Sequence, residues 1–282
     1  MDSVRRSSRP VLRSPRALIA WEGWNDAASA ASGAAAFLIG QYDDPEPFAV
    51  IEPEEFYDFQ AHRPEVEVVE GGTRRLVWPT TRAFALDREA GAHDLVVISG
   101  DEPTLRWKTY TRSIGALLVD TDVEFVVTLG AFIGQVAHTV PVPIIGVATD
   151  PELVARHGLT ASRYEGPTGV VAVMLEACRE IGIPALSLWA ATPHYLAANP
   201  NPKAMVALLD KASEVMDIPI DTSELHEVAT DFEHRVNDAM GENEDFVQYV
   251  HRLEHDATPE VPIDPSRGAH LITEIEDFLK GR

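Results

Sequence analysis

The 282-residue sequence predicts an α/β protein: a mostly parallel sheet covered by helices on both faces, followed by an acidic helical C-terminal appendage. Three observations predict it. Segments such as 94–99 and 124–129 are unbroken apolar runs, the pattern of strands buried on both faces. These runs alternate with segments of helical periodicity, as in successive βα units. Beyond about residue 200 the strand pattern stops and only helical segments follow.

The elements follow in order. Residues 16–20 read as a first strand ending at Trp21, and 22–26 as a turn in which Asn25 or Asp26 caps the next helix. Residues 27–40 form an alanine-rich, tightly packed helix closed by Gly40, and 48–51 a second strand. Residues 65–86 alternate apolar and polar around Gly71-Gly72, as a hairpin does. The strand at 94–99 leads into Gly100-Asp-Glu-Pro103 and a helix over about 106–120. Further strands are expected at 124–129, 144–148 and 185–191, with an apolar helix at 168–182 before the last. Helices then follow at about 202–216, 222–240, 243–256 and 267–280, with a proline-containing linker at 256–267. The resulting division is a disordered basic arm (1–15), a sandwich domain (16–200) and an acidic helical region (201–282).

Charge narrows the function. The formal net charge is -22, which argues against a nucleic-acid surface, because phosphate binding needs clustered cations, and against docking on anionic lipid. The charge is uneven. Residues 1–16 hold five arginines (Arg5, Arg6, Arg9, Arg13 and Arg16) against Asp2, whereas 221–282 hold 16 acidic residues against 5 Lys and Arg. With several serines, two prolines and little to bury, the arm reads as disordered. It lacks the apolar core of an export signal, and no apolar run approaches the ~18 residues of a membrane span. The single cysteine, Cys178, falls in a helical apolar pattern and reads as a buried thiol. A cytoplasmic location is expected, with no cofactor.

In an open parallel sheet, ligands collect at the carboxyl ends of the strands. Those ends are polar and glycine-rich here: Gly23, Asn25 and Asp26 after the first strand, then Gly100, Asp101 and Glu102, then His138, and His194 after the last. Residues 163–169 add Arg163, Tyr164, Gly166, Thr168 and Gly169 at a helix start, whose free N–H groups suit an anion or simply an ordinary cap. Asp101, Glu102, His138 and His194 are the candidate acids and bases, and the remainder the candidate ligand-binding residues. P-loop, dinucleotide-binding, nucleophile-elbow and zinc-protease motifs are all missing. His251 and His255, spaced i,i+4, are read as an ordinary exposed pair, so no metal site is expected.

Five motifs occur in order: Gly23-Trp-Asn-Asp-Ala27, Gly100-Asp-Glu-Pro103 with Arg106-Trp107, Thr128-Leu-Gly-Ala131, His138-Thr139, and Tyr164-Glu-Gly-Pro-Thr-Gly169. Together they resemble the proteasome assembly chaperone 2 family in its actinobacterial branch, over about residues 16–200. The resemblance implies a three-layer α/β/α sandwich similar to nucleoside phosphorylases, and homo-oligomers, trimers in particular. Two departures stand out. Ala28 occupies a position where the family often has a second glycine, and Val140 one where it often has an arginine. The chain ends Phe278-Leu-Lys-Gly-Arg282, which differs from the hydrophobic–tyrosine–any tail of relatives that dock on the proteasome.

Two functions are compatible with this reading. The first is a homo-oligomeric protein-binding scaffold or assembly chaperone, with proteasome subunits as partners and no catalysis. The second is a small-molecule enzyme, phosphorylase-, nucleosidase- or carboxylate–amine ligase-like, in which Asp101 or Glu102 acts as acid/base, Arg163 holds an anion, and His138 or His194 assists.

Overall fold

A computed structural model describes residues 3–86, 91–241 and 243–256. The elements are β1 (Val4–Arg6), β2 (Arg16–Glu22), α1 (Ala30–Gly40), β3 (Ala49–Ile51), β4 (Glu65–Val68), β5 (Arg74–Val77), β6 (Thr81–Leu86), β7 (Leu95–Asp101) and α2 (Trp107–Asp120). After these come β8 (Phe125–Gly134), β9 (Ile144–Ala148), α3 (Pro151–Arg156), β10 (Thr160–Ala161), α4 (Val170–Ile181), β11 (Ala185–Pro193), α5 (Pro202–Met216), α6 (Ser223–Gly241) and α7 (Glu244–Asp256). The linker and closing helix expected beyond residue 256 lie outside the described residues.

Nine strands form one sheet in the order β1-β3-β6-β7-β2-β8-β11-β9-β10, and β4 and β5 form the expected hairpin apart from it. The four central strands, β7-β2-β8-β11, are parallel. Antiparallel pairings join the strands that flank them, except that β10 at one edge runs parallel to β9. Chain length explains one of these. Only residues 135–143 separate β8 from β9, too few for a parallel crossover of a dozen or more residues, so β9 runs antiparallel against β11.

The unbroken apolar strands work because successive side chains point to opposite faces. On β2, Leu18 and Ala20 pack with α1 and α5, while Ala17, Ile19 and Trp21 pack with α2 and α4. β7 does the same: Leu95 and Val97 face one layer, Val96 and Ile98 the other. The alanines of α1 let it lie close to α5. A Cβ on Gly33 would come within 2.3 Å of Met205 Cε. Helix α5 is therefore part of the sandwich layer, although the division at 200 put it with the appendage.

The basic arm is the main correction. Over its described residues it is not a disordered leader, because Val4–Arg6 pairs antiparallel with β3 at the sheet edge. Arg5 meets Glu52 at 2.6 Å, Arg6 pairs with Asp120, and Arg13 reaches the buried Asp94 at 2.9 Å. A segment with little to bury is ordered here by backbone pairing and by the acidic surface of its own chain.

Candidate functional site

The turn after β2, the loop after β7 and the start of α4 do meet, and Glu102 is where they meet. Its Oε1 accepts from Asn25 Nδ2 at 2.8 Å and from the Val170 N–H at 2.9 Å, and its Oε2 from the Trp24 N–H at 3.2 Å. The anion held by the α4 N-terminus is thus the chain's own carboxylate, placed where the helix dipole favours it. Thr168 is exposed and Gly169 is the helix N-cap, with no side-chain cap bond of its own.

The glycines permit this closeness. A Cβ on Gly169 would fall 1.9 Å from Asn25 Nδ2, and one on Gly100 would fall 2.1 Å from the Thr80 carbonyl oxygen. Gly23 sits at φ +122°, a conformation L side chains rarely adopt. Asp26 caps α1: its carboxylate accepts from the Ala31 N–H at 2.7 Å, the Ser32 N–H at 3.2 Å and the Ser32 hydroxyl. To make this turn, Ala28 and Ser29 adopt φ of 56° and 47°. The position where the family often has glycine is therefore left-handed, and Ala28 is strained there.

The acids at this end are already engaged. Asp101 accepts from the Thr80 N–H at 3.0 Å and pairs with His62 at 3.0 Å. Burial raises the Glu22 carboxyl above its ordinary range, as do the nearby charges of Asp101 and Asp26. Burial also raises Asp26, against the lowering effect of its bonds to Ser32 and Ala31. Arg163, Tyr164 and Gly166 lie on the exposed loop before α4, where the Tyr164 hydroxyl donates to the Pro167 carbonyl at 2.9 Å. Trp24 and Tyr164 are each more than 60% exposed, at 63% and 62%.

His138 and His194 belong to a different group. Both are buried, at the ends of β8 and β11, and their hydrogen bonds run to the C-terminal helices. His138 Nε2 contacts Asn237 Oδ1 of α6 at 2.9 Å, and its Nδ1 contacts the Tyr195 hydroxyl at 2.9 Å. His194 Nε2 contacts the Tyr249 hydroxyl of α7 at 3.2 Å. Around them Tyr195, Leu196, Phe232, Val236, Met240, Phe246, Val250 and Leu253 form a separate apolar cluster. Burial lowers the pKa of both rings, which suits neutral packing groups. The cavity beside His138, lined also by Asn201, Lys203, Phe232 and Glu233, has a volume of about 10 Å³, at the threshold for one water. A larger concavity of about 440 Å³ lies between α2 and α4 and contains none of the sequence-predicted site residues.

Sequence reasoning missed Tyr195, Asn237 and Tyr249, and that the expected helices at 222–240 and 243–256 cover the histidines. The apolar spacings Phe232/Val236/Met240 and Phe246/Val250/Leu253 carry that signal, since each marks one buried helical stripe. His251 and His255 are held on their own helix, by Glu254 at 2.9 Å and by the His251 carbonyl at 2.8 Å. Cys178 is buried, which pushes its thiol up to about 12. Among the described residues no group of three or more His, Cys, Asp or Glu is arranged to hold a metal.

Residues 20–240 match the PAC2 family. A PAC2 family protein from Streptomyces avermitilis is 42% identical, with a TM-score of 0.77 over 84% of this chain and 99% of that one. A proteasome-assembly chaperone homologue from Mycobacterium tuberculosis is 37% identical, with a TM-score of 0.76 over 83% of this chain and 99% of that one. An archaeal proteasome activator from Pyrococcus furiosus shares the fold, at 16% identity and a TM-score of 0.64 over 84% and 99% of the two chains. No curated protein matches the sequence.

Proposed function

Because the chain belongs to the PAC2 family, we propose that it is a homo-oligomeric assembly chaperone that works by binding other proteins, proteasome components among them, with no catalysis required. One observation supports binding over catalysis: Glu102, a candidate acid/base, is occupied by three donors of its own chain. A general acid or base needs a proton site facing substrate, and this carboxylate spends its oxygens joining three loops. The names of the Mycobacterium and Pyrococcus relatives support proteasome components as partners.

In this proposal the sandwich, with α5 in its layer, is the scaffold, and the acidic helices that follow α5 face a partner of basic surface. The oligomer is a trimer and works in the cytoplasm. No helix among the described residues is long and apolar enough to cross a membrane. The test is to mix the purified protein with proteasome subunits and follow complex formation and assembly rate on native gels. Faster assembly with a stable intermediate is expected, and neither binding nor a changed rate would sink the proposal. Sedimentation equilibrium giving three chain masses checks the trimer separately.

The small-molecule alternative is tested by melting the protein with nucleosides, nucleotides and phosphate. A saturable rise in Tm would favour it over the chaperone reading.

A further inference from the structure

We propose that α6 and α7 form a pH-gated latch over the β8–β11 edge, closed while His138 and His194 are neutral and released when these rings take up a proton.

The hydrogen bonds dictate the neutral form. The Tyr195 hydroxyl has one hydrogen to give, and it already accepts from the His138 backbone N–H at 2.9 Å. Asn237 Oδ1 only accepts, so a neutral ring holds its hydrogen on Nε2, and the 2.9 Å contact at the bare Nδ1 is the Tyr195 hydroxyl donating. Nε2 in turn donates to Asn237 Oδ1 of α6 at 2.9 Å. A proton added to Nδ1 would turn the Tyr195 contact round, so that Nδ1–H donates and the buried hydroxyl hydrogen loses its acceptor. The Asn237 bond itself favours a charged ring; the imidazolium is opposed by burial of the ring beneath α6 and by the hydroxyl hydrogen left without an acceptor.

The second ring meets the neighbouring helix through Nε2 alone, and its buried Nδ1 has no hydrogen-bond partner among the described residues. His194 is edge-on to Tyr249 of α7, with ring centroids 5.7 Å apart, and shares the 3.2 Å contact with its hydroxyl. Tyr195 links the two, packing edge-on to His138, His194 and Phe246 at 5.9, 5.2 and 5.2 Å. Each histidine therefore fastens a different helix to one aromatic centre.

The charges around His138 come from every element packed on it. Lys203 of α5 donates to the His138 carbonyl and pairs with Glu233 of α6, while Glu254 of α7 accepts from the Thr139 hydroxyl. Burial, the largest influence, opposes a charged ring, as does Lys203, while the bond to Asn237 and the charges of Glu233 and Glu254 favour it. For His194 burial again dominates. Both rings are thus held below the ordinary histidine value of about 6.5 when the latch is closed. Opening restores that value, so the open form takes up protons first as pH falls. Closing is strongest above about pH 6.5 and weakens below it. Glu254 also contributes: its bonds to Thr139 and His251 hold its carboxyl below the usual range, so its share is lost only at lower, carboxylate pH.

Hydrogen exchange of the full chain at pH 7.5, 6.5 and 5.5, corrected for the intrinsic pH dependence of exchange, tests this. Peptides from 223–241 and 244–256 are expected to lose protection below pH 6.5. The loss should approach tenfold per pH unit for each extra proton bound by the open form, while α1 and β2 stay protected. The double variant His138→Gln, His194→Gln should lose that pH response. Unchanged protection of α6 and α7 across the range would overturn the latch, as would a response that persists in the double variant. Should the double variant not fold, NMR of ring-labelled histidine in the unmodified chain decides. Rings that titrate at the ordinary value while α6 and α7 remain protected also overturn it.

Discussion

At the ends of β2 and β7 one carboxylate, Glu102, gathers three donors, two from the turn after β2 and one from the start of α4. At the ends of β8 and β11 two neutral histidines lie beneath two helices, surrounded by aromatic and aliphatic side chains. The first end is joined by charge-assisted hydrogen bonds, with exposed aromatics around it; the second is closed by apolar burial. They also respond to acid in opposite senses. Glu22 and Asp26 have carboxyls raised in the folded protein, so acidification through their range relieves a destabilising charge. His138 and His194 have lowered values, so acidification below about pH 6.5 removes stability. One edge of a sheet thus holds two sites with different chemistry, and polar residues at strand ends do not by themselves make an active site.

Replacing Phe246 with alanine should have the largest effect. The side chain is buried between Tyr195 and Tyr249, and its loss should cost about 3–5 kcal/mol, borne by α6 and α7. Hydrogen exchange should show those helices opening while the sandwich keeps its urea midpoint. An equal loss of protection in α1 and β2 would mean that the two ends unfold as one unit, which breaks the comparison.

Glu102→Ala comes next, at about 2–4 kcal/mol, because the buried Asn25 amide and the Val170 N–H lose their acceptor. This loss should appear in global urea unfolding and leave exchange in α7 relative to the sandwich unchanged. A variant within about 0.5 kcal/mol of the parent would show that the carboxylate does not join the three segments.

The smallest effect sharpens the open end. Ala28→Gly should raise stability by about 0.5–1 kcal/mol, because glycine relieves the left-handed strain at φ 56° at some entropic cost. A fall in thermal midpoint would show that the Ala28 methyl group, which is buried, contributes more by packing than it costs in strain.

Much of the fold was legible in the sequence. Unbroken apolar runs identified the central strands, and the i,i+3/i+4 stripes identified α2 and α4 through α7, since burial on both faces or on one stripe leaves a periodic trace. Short α3 left too little periodicity to read; it is visible only through the Asp150 cap on the Glu152 N–H at 2.9 Å. The arm was misread because backbone pairing at a sheet edge needs no apolar residues, and Arg5, Arg6 and Arg13 find acids far away in the chain. For the site, the three segments containing Glu102, Asn25 and Gly169 were rightly placed together. That His138 and His194 lie apart from them, beneath α6 and α7, was not legible, because strand order and helix docking are long-range facts.

Taken alone, the sequence determined the alternation of strand and helix, the acidic charge and its uneven spread, and the glycines that allow close backbone approach. These are local properties, carried by neighbouring residues. The tertiary structure decided which polar groups face one another: that Glu102 is consumed by Asn25, Trp24 and Val170, and that the histidines belong to the C-terminal helices. A side chain's chemistry is set by the donors, acceptors and apolar surface around it, and here those come from residues tens of positions away.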